Sequence, residues 1–450
     1  MVAWGVACFL FFQLAYSYHF FYKEQNMLFL WSADYVASYQ GIGWLARLAG
    51  DFLTQFYYYL YAGATILAGC LLLLGLLVYS SLTRLGVNRL LALVVASVLM
   101  TVEAWFHLRY DYSLGSTMII VGWASLLRIA VMWRRRMFAA VTAVLLMPLG
   151  IWLFGAPNPG KLTAPNWEVE HLLAVDNEYR FGHYDRVVSL VEQEQKPLQE
   201  MVFFYNLVMA QRGELPDHLM RFVPNELGTF HRIGPDTPLY TIKDMNELYW
   251  ALGDMTFTER AALMANVFSP TNRNVRMVKR LAETNLVSGD TLAARKYLRL
   301  LEQTFAYEEW ARKAPHDPRY RQKALLSNKQ DDIAVTDNSH AIMMQLLDSN
   351  PENTVALDYM LCSELLLKDI DNFKRDYDRY CSEHPRAKKL YQEALCIWLA
   401  GTEAPVEKWQ QLIIMPEVFT RFQQYNQQRG SQQFRDTYWF YFDKAKTPQI

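Results

Sequence analysis

The chain has 450 residues, 52% of them hydrophobic and 20% charged, with a net charge of −1. These averages exclude a disordered chain, a collagen-like one and a strongly basic nucleic-acid binder, so no nucleic acid is expected as a partner. They do not exclude a membrane protein, because the charge is unevenly placed. Residues 1–156 hold nine Lys/Arg and five Asp/Glu, and the remainder holds 35 and 40. The first third is therefore net positive and carries nearly all the long apolar runs.

Five apolar runs are expected to span a bilayer: 2–22, 57–79, 90–106, 113–133 and 137–154. A span needs about 20 mainly apolar residues at 1.5 Å rise each. The first run lacks a basic flank and a small-residue cleavage site, so it reads as a retained helix rather than a signal peptide. Arg84 and Arg89 lie between the second and third runs, and Arg134, Arg135 and Arg136 between the fourth and fifth. Positively charged short loops stay cytoplasmic. Five spans then place the N-terminus inside and everything after residue 156 outside. Aromatic residues such as Tyr16, Tyr22, Tyr57, Trp105 and Tyr110 fall at the expected outer interface, where amphipathic rings favour headgroup depth.

Glu103 and Arg128 fall inside expected spans and are candidates for function on that ground alone. Their depths differ by roughly 12 Å, counted from the nearest inner arginines, which argues against a direct pair. Arg128 is expected to snorkel inward, and Glu103 to share the outer interface with His107 and Arg109. In the second run Gly63, Ala64, Ala68 and Gly69 are small enough for close helix approach.

Between the first two runs, residues 41–56 form an amphipathic helical pattern. Trp44, Leu48, Phe52 and Phe56 make an apolar stripe, and Arg47, Asp51 and Gln55 a polar one. The plainer reading is a membrane-surface helix with a solvated face. The other is an outward pocket lined by Arg47, Asp51 and Gln55 with Asp34 and Glu24.

His19-Phe20-Phe21-Tyr22-Lys23-Glu24-Gln25 with Leu28-Phe29-Leu30 and Asp34-Tyr35 resembles the opening of a known family, and so does Gly50-Asp51-Phe52-Leu53-Thr54-Gln55-Phe56-Tyr57. The family is an uncharacterised one of Bacteroidota polytopic inner-membrane proteins with a helical C-terminal domain. The likeness continues at Tyr205-Asn206-Leu207, Ser269-Pro270, Asn350-Pro351-Glu352-Asn353 and Gln392-Glu393-Ala394. It implies a bacterial inner membrane and supplies no activity.

Residues 157–166 are expected to be a linker, opening on Pro157-Asn158-Pro159-Gly160. Residues 167–450 read as an extracytoplasmic helical domain. Turns at Gly182, Gly213 and Gly289 are each followed by an apolar stripe, and Leu366-x-x-Asp369 follows the same rhythm without glycine. This resembles degenerate tetratricopeptide repeats, whose period is about 34 residues. Residues 214–240 are rich in Pro and Gly and interrupt the repeat, residues 314–338 read as a long loop, and the aromatic run 438–442 as a terminal helix docked on the last repeat.

The chain contains no zinc-protease, phosphate-loop, dinucleotide or serine-elbow motif, so no cofactor is expected. His171, His183, His218, His231, His316, His340 and His384 show no metal-ligand spacing, and no metal is expected. Cys362, Cys381 and Cys396 read as buried apolar residues, with a Cys362–Cys381 bridge as the alternative. The fold expected is all-α, about five transmembrane helices plus a helical-repeat domain. The expected function is a membrane-anchored scaffold for a protein or peptide partner. The alternative is a glycosyltransferase-like enzyme acting on a lipid-linked substrate through Glu24, Asp34 and Asp51.

Overall fold

A computed structural model describes residues 1–132, 136–156, 161–222, 225, 227–229, 236–269, 271–327, 336, 338–382, 387–405, 409, 412 and 414–447. The described residues are helical, with no strand among them. The chain divides into two compact units. The first comprises residues 1–177, 266–282 and 292–316, and the second 178–265, 283–291 and 317–450. This division differs from a single boundary at residue 156.

The first unit contains α1 (Val2–Leu14), α2 (Tyr18–Gln25), α3 (Ala33–Ala37), α4 (Trp44–Thr54), α5 (Ala62–Arg84), α6 (Arg89–Phe106), α7 (Leu114–Ala130) and α8 (Arg136–Phe154). Helix α5 packs against α1, α6 and α7, while α4 lies across α7 and α8. Two helices, α5 and α6, are long and apolar enough to cross a membrane. Helices α1 and α7 and the stretch Val141–Phe154 are apolar but shorter. The run expected to span as 2–22 is not one helix. It breaks after Leu14, and α2 starts afresh at Tyr18. The cause is polar. The Tyr16 hydroxyl donates to the Leu108 carbonyl, and the Tyr18 N–H donates to Glu170 Oε1 at 2.6 Å. A carboxylate at a helix N-terminus satisfies an otherwise orphaned N–H and complements the helix dipole.

Helix α6 turns a wide apolar face outward. Its buried side chains are Ala92, Ala96, Met100, Glu103 and Phe106, and Leu90, Leu91, Val94, Val95, Val98 and Val102 are exposed. Small residues set the spacing. A Cβ on Gly50 of α4 would collide with the backbone N and Cα of Gly115 at the start of α7.

Helix α9 (Trp167–Arg180) begins in the first unit and ends in the second. The second unit then runs through α10 (Tyr184–Gln193), α11 (Gln199–Gln211), α12 (Leu215–His218), α13 (Leu239–Leu252) and α14 (Met255–Phe268). Helix α15 (Val275–Ser288) is shared, and α16 (Thr291–Leu301) and α17 (Glu308–Lys313) fall almost wholly in the first unit. Helices α18 (Pro318–Leu326), α19 (Ser339–Ser349), α20 (Thr354–Leu366), α21 (Ile370–Cys381), α22 (Lys389–Gly401), α23 (Pro416–Gln427) and α24 (Tyr438–Lys444) complete the second. Helices α11 and α20 bury unbroken stretches, Met201 to Ala210 and Ala356 to Leu366. A helix buried on all sides belongs at the centre of a bundle, with amphipathic neighbours around it.

The expected hairpin turns are present, and one rule makes them. Gly182 (φ 77°), Gly213 (φ 71°), Gly253 (φ 85°), Lys368 (φ 60°) and Glu403 (φ 49°) are all left-handed. At each, the residue's N–H bonds back three residues, as Gly182 does to Tyr179, and the next N–H bonds back five, as His183 does to Glu178. This double closure ends a helix by satisfying its last carbonyls. Gly289 has the same backbone hand, at φ 81°.

Residues 314–338 are not one loop. Asp317 caps α18 through the Arg319 N–H, and Pro318 stands at its first position, where a missing N–H costs nothing. Helix α24 docks as expected. Tyr438 and Tyr441 hydroxyls donate to the Leu365 and Leu366 carbonyls at the end of α20. The five cysteines form no disulfide. Arg134, Arg135, Pro157 to Gly160, His231, Pro270 and His384 lie outside the described residues.

Candidate functional site

The richest polar constellation in the first unit gathers around α2. Its acids and bases come from distant parts of the sequence. Glu103 is buried and accepts hydrogen bonds on Oε1 from Tyr112 (2.8 Å) and Thr117 (2.7 Å). Thr117 has one hydroxyl proton, which it spends on Glu103. His107 must therefore donate from Nε2 to the Thr117 oxygen, 2.6 Å away. That leaves His107 Nδ1 as an acceptor, buried with no hydrogen-bond partner among the described residues. Arg109 does not join Glu103. It grips Asp111 through Nε (2.9 Å) and Nη2 (2.6 Å), and reaches the Lys161 carbonyl at 3.1 Å.

Lys23 of α2 reaches the His107 carbonyl at 3.5 Å. Burial pulls its ammonium down to about 7, against the charges of Asp111 and Glu170. Burial likewise pushes the Glu170 carboxyl up to about 8, against the N–H groups of Tyr18 and His19 and the charge of Lys23. Withdrawal from water penalises whichever form is charged, so the acid rises and the base falls.

Around the next turn of α2, Arg276 Nη1 donates to Asp176 Oδ1 (2.8 Å) and Oδ2 (2.9 Å), and to Gln25 Oε1 at 2.8 Å. Both charged side chains are about 5% exposed. Asn274 donates to Asn26 Oδ1 at 3.0 Å, and Tyr307 to Glu24 Oε1 at 2.7 Å. Glu24 also borders a small pocket with Met27, Phe29, Gln55, Thr304 and Tyr307.

The three acids expected to act together are engaged separately. Glu24 is buried beneath Tyr307, while Asp34 is exposed in the first turn of α3. Asp51 accepts from the Tyr39 hydroxyl at 2.7 Å, and burial raises its carboxyl above the usual range. The polar stripe of α4 also divides. Arg47 folds back on the Gln40 and Ile42 carbonyls (2.7 and 3.0 Å), and Gln55 is buried, donating to the Phe52 carbonyl. Arg128, in the last turn of α7, keeps Nη1 buried with no hydrogen-bond partner among the described residues. Arg84 and Arg89 are exposed at either side of the α5–α6 turn. Arg136 opens α8.

Sequence reasoning passed over His19, Lys23, Tyr112, Thr117, Glu170, Asp176 and Arg276. Nothing local marks them except for Lys23, a lone cation in an aromatic run. His183 is a turn residue as expected, bonded to Glu178 at 2.7 Å. Among the described residues, one set brings three metal-capable groups together: His340, Glu364 and Asp376 in the second unit.

The helical architecture, with an apolar bundle and a body of helical hairpins, defines an all-α protein of two compact units. The chain belongs to the family of unknown function DUF6057, whose model matches residues 1–159 and 158–445. No curated protein and no solved structure matches it.

Proposed function

We propose that this protein is a membrane-anchored scaffold. In this reading α1, α5, α6, α7 and α8 lie in a bacterial inner membrane, with the N-terminus in the cytoplasm. Helical hairpins resembling tetratricopeptide repeats are presented in the periplasm to a protein or peptide partner. The observation that supports it most is the outward apolar face of α6. Leucine and valine face outward from α6 while alanine and glutamate face inward, which suits a lipid solvent and is costly in water. Arg84 and Arg89 at the exposed α5–α6 turn favour a cytoplasmic position for that turn.

The enzyme reading is weaker, because Glu24, Asp34 and Asp51 have different surroundings and Glu24 and Asp51 are already hydrogen-bonded. Paired carboxylate chemistry needs two acids on one substrate.

Three measurements test the proposal. The protein should resist alkaline carbonate extraction and partition with detergent; release into the carbonate supernatant would end the membrane reading. A reporter fused after Asn166 should be active only outside the cytoplasm. Affinity purification in mild detergent should return a reproducible partner, and its absence would remove the scaffold reading while leaving the anchor.

A further inference from the structure

We propose that the second unit holds a divalent-metal site of the zinc class, formed by His340, Glu364 and Asp376. The three residues come from successive helices. His340 stands in the first turn of α19, where the Asn338 side chain accepts its backbone N–H and that of Ala341. Glu364 lies in the last turn of α20, and Asp376 halfway along α21. Helix α20 packs against both neighbours, so the three side chains converge on one point.

The geometry is that of a ligand set. His340 Nε2 is 3.0 Å from Glu364 Oε1 and 2.7 Å from Asp376 Oδ2. One ligand atom from each residue lies within 4.8 Å of the others. Ligands about 2.0–2.2 Å from a tetrahedral zinc stand roughly 3.3–3.5 Å apart, so a few tenths of an ångström of opening admits the ion. Arg375 fixes the Asp376 carboxylate, donating to its Oδ1 at 2.9 Å and its Oδ2 at 3.0 Å. Metal sites use such outer partners to orient a ligating carboxylate.

The independent sign is Glu364. The residue is 5% exposed, its Oε1 meets the His340 imidazole at 3.0 Å, and no other N–H donor among the described residues bonds its carboxylate. Two buried carboxylates converging on one imidazole are costly, and a divalent cation among the three side chains lowers that cost. One imidazole and two carboxylates suit zinc and its first-row neighbours better than calcium, which takes an all-oxygen cage. The His340 side chain is 32% exposed, which opens a route from solvent. Three protein ligands leave a fourth position for water.

No sequence rule finds this set, since its members stand 24 and 12 residues apart and only packing joins them. The inference does not rest on the membrane or the scaffold reading.

The test uses the full chain in detergent, stripped with chelator and titrated with zinc chloride. We expect one zinc per chain, with a Kd below about 10 μM, and a higher melting temperature with zinc than without. His340→Gln and Glu364→Gln should each weaken binding by at least about 100-fold, whereas Arg375→Ala should weaken it by roughly 10-fold. Lack of saturable uptake by the wild type, or equal affinity in both ligand variants, would overturn the proposal. If the variants fail to fold, cobalt(II) decides on the wild type. Intense visible absorption of a tetrahedral ion supports the site, and the pale spectrum of hydrated cobalt overturns it.

Discussion

Asp176 and Arg276 meet where almost no water reaches, and that fixes what their loss would do. Removing one partner strands the other charge, which costs about 3–5 kcal/mol, while a matched apolar pair can be nearly neutral. Arg276→Met should therefore lower the melting temperature sharply, and adding Asp176→Leu should restore much of it. Additive losses in such a cycle would show that the two residues do not act as a pair. Glu170 gives a pH signature. Its folded carboxyl sits near 8, above the ordinary value of 4.5, so the folded state holds its proton more tightly. That contribution is complete below about pH 4.5 and is lost as pH rises toward 8. Lys23 works in the opposite sense, but only above its folded value of about 7. Between pH 5 and 7 the wild type should lose stability with rising pH, and Glu170→Gln should flatten that slope; thermal melts across the window read the difference.

At the scale of helices, two glycines should respond differently to alanine. Gly182 has open space where a Cβ would go, so Gly182→Ala meets only the left-handed backbone, a cost of about 1–2 kcal/mol. Gly50 is right-handed, but its Cβ would strike the backbone of Gly115, which cannot rotate away. Gly50→Ala should cost ~3 kcal/mol and separate α4 from α7. Denaturant melts that rank Gly182→Ala as the more damaging would contradict this packing. The same contrast explains what could be read in advance. Turns at Gly182, Gly213 and Gly289 were legible because the left-handed hand is written in one residue. Lys368 and Glu403 take that hand without glycine; the first was marked only by the rhythm of Leu366-x-x-Asp369, and nothing in the sequence marks the second. The break between α1 and α2 was hidden in a run apolar enough to pass as one helix, because its causes, Leu108 and Glu170, lie 92 and 152 residues from Tyr16 and Tyr18. The outer-loop acids were visible as residues but not as partners, since Glu24 finds Tyr307 only across 283 positions.

At the scale of the whole chain, apolar periodicity predicted the helical class, while the division into units was invisible. Periodicity describes one helix at a time, and the first unit is assembled from three separated stretches. The proposed anchor brings one consequence for lipid. Helix α1 has 13 residues and is about 20 Å long, well short of a hydrocarbon core of about 30 Å. Reconstitution in bilayers of decreasing acyl length should raise the melting temperature of the first unit; an unchanged or falling value would argue against α1 lying in the membrane.

The bond between Asp176 and Arg276 also sets a timetable. A ribosome adds about 5–20 residues per second, so Asp176 waits roughly 5–20 s for its cation, and Glu24 waits longer still for Tyr307. During that interval α2 has emerged with Glu24 still waiting for Tyr307. Arrested nascent chains should gain protease resistance over residues 18–35 only once the segment through residue 316 has cleared the exit tunnel. Synthesis of this protein therefore passes through a long stage in which its first part is made but unfinished, when a chaperone has the most to hold.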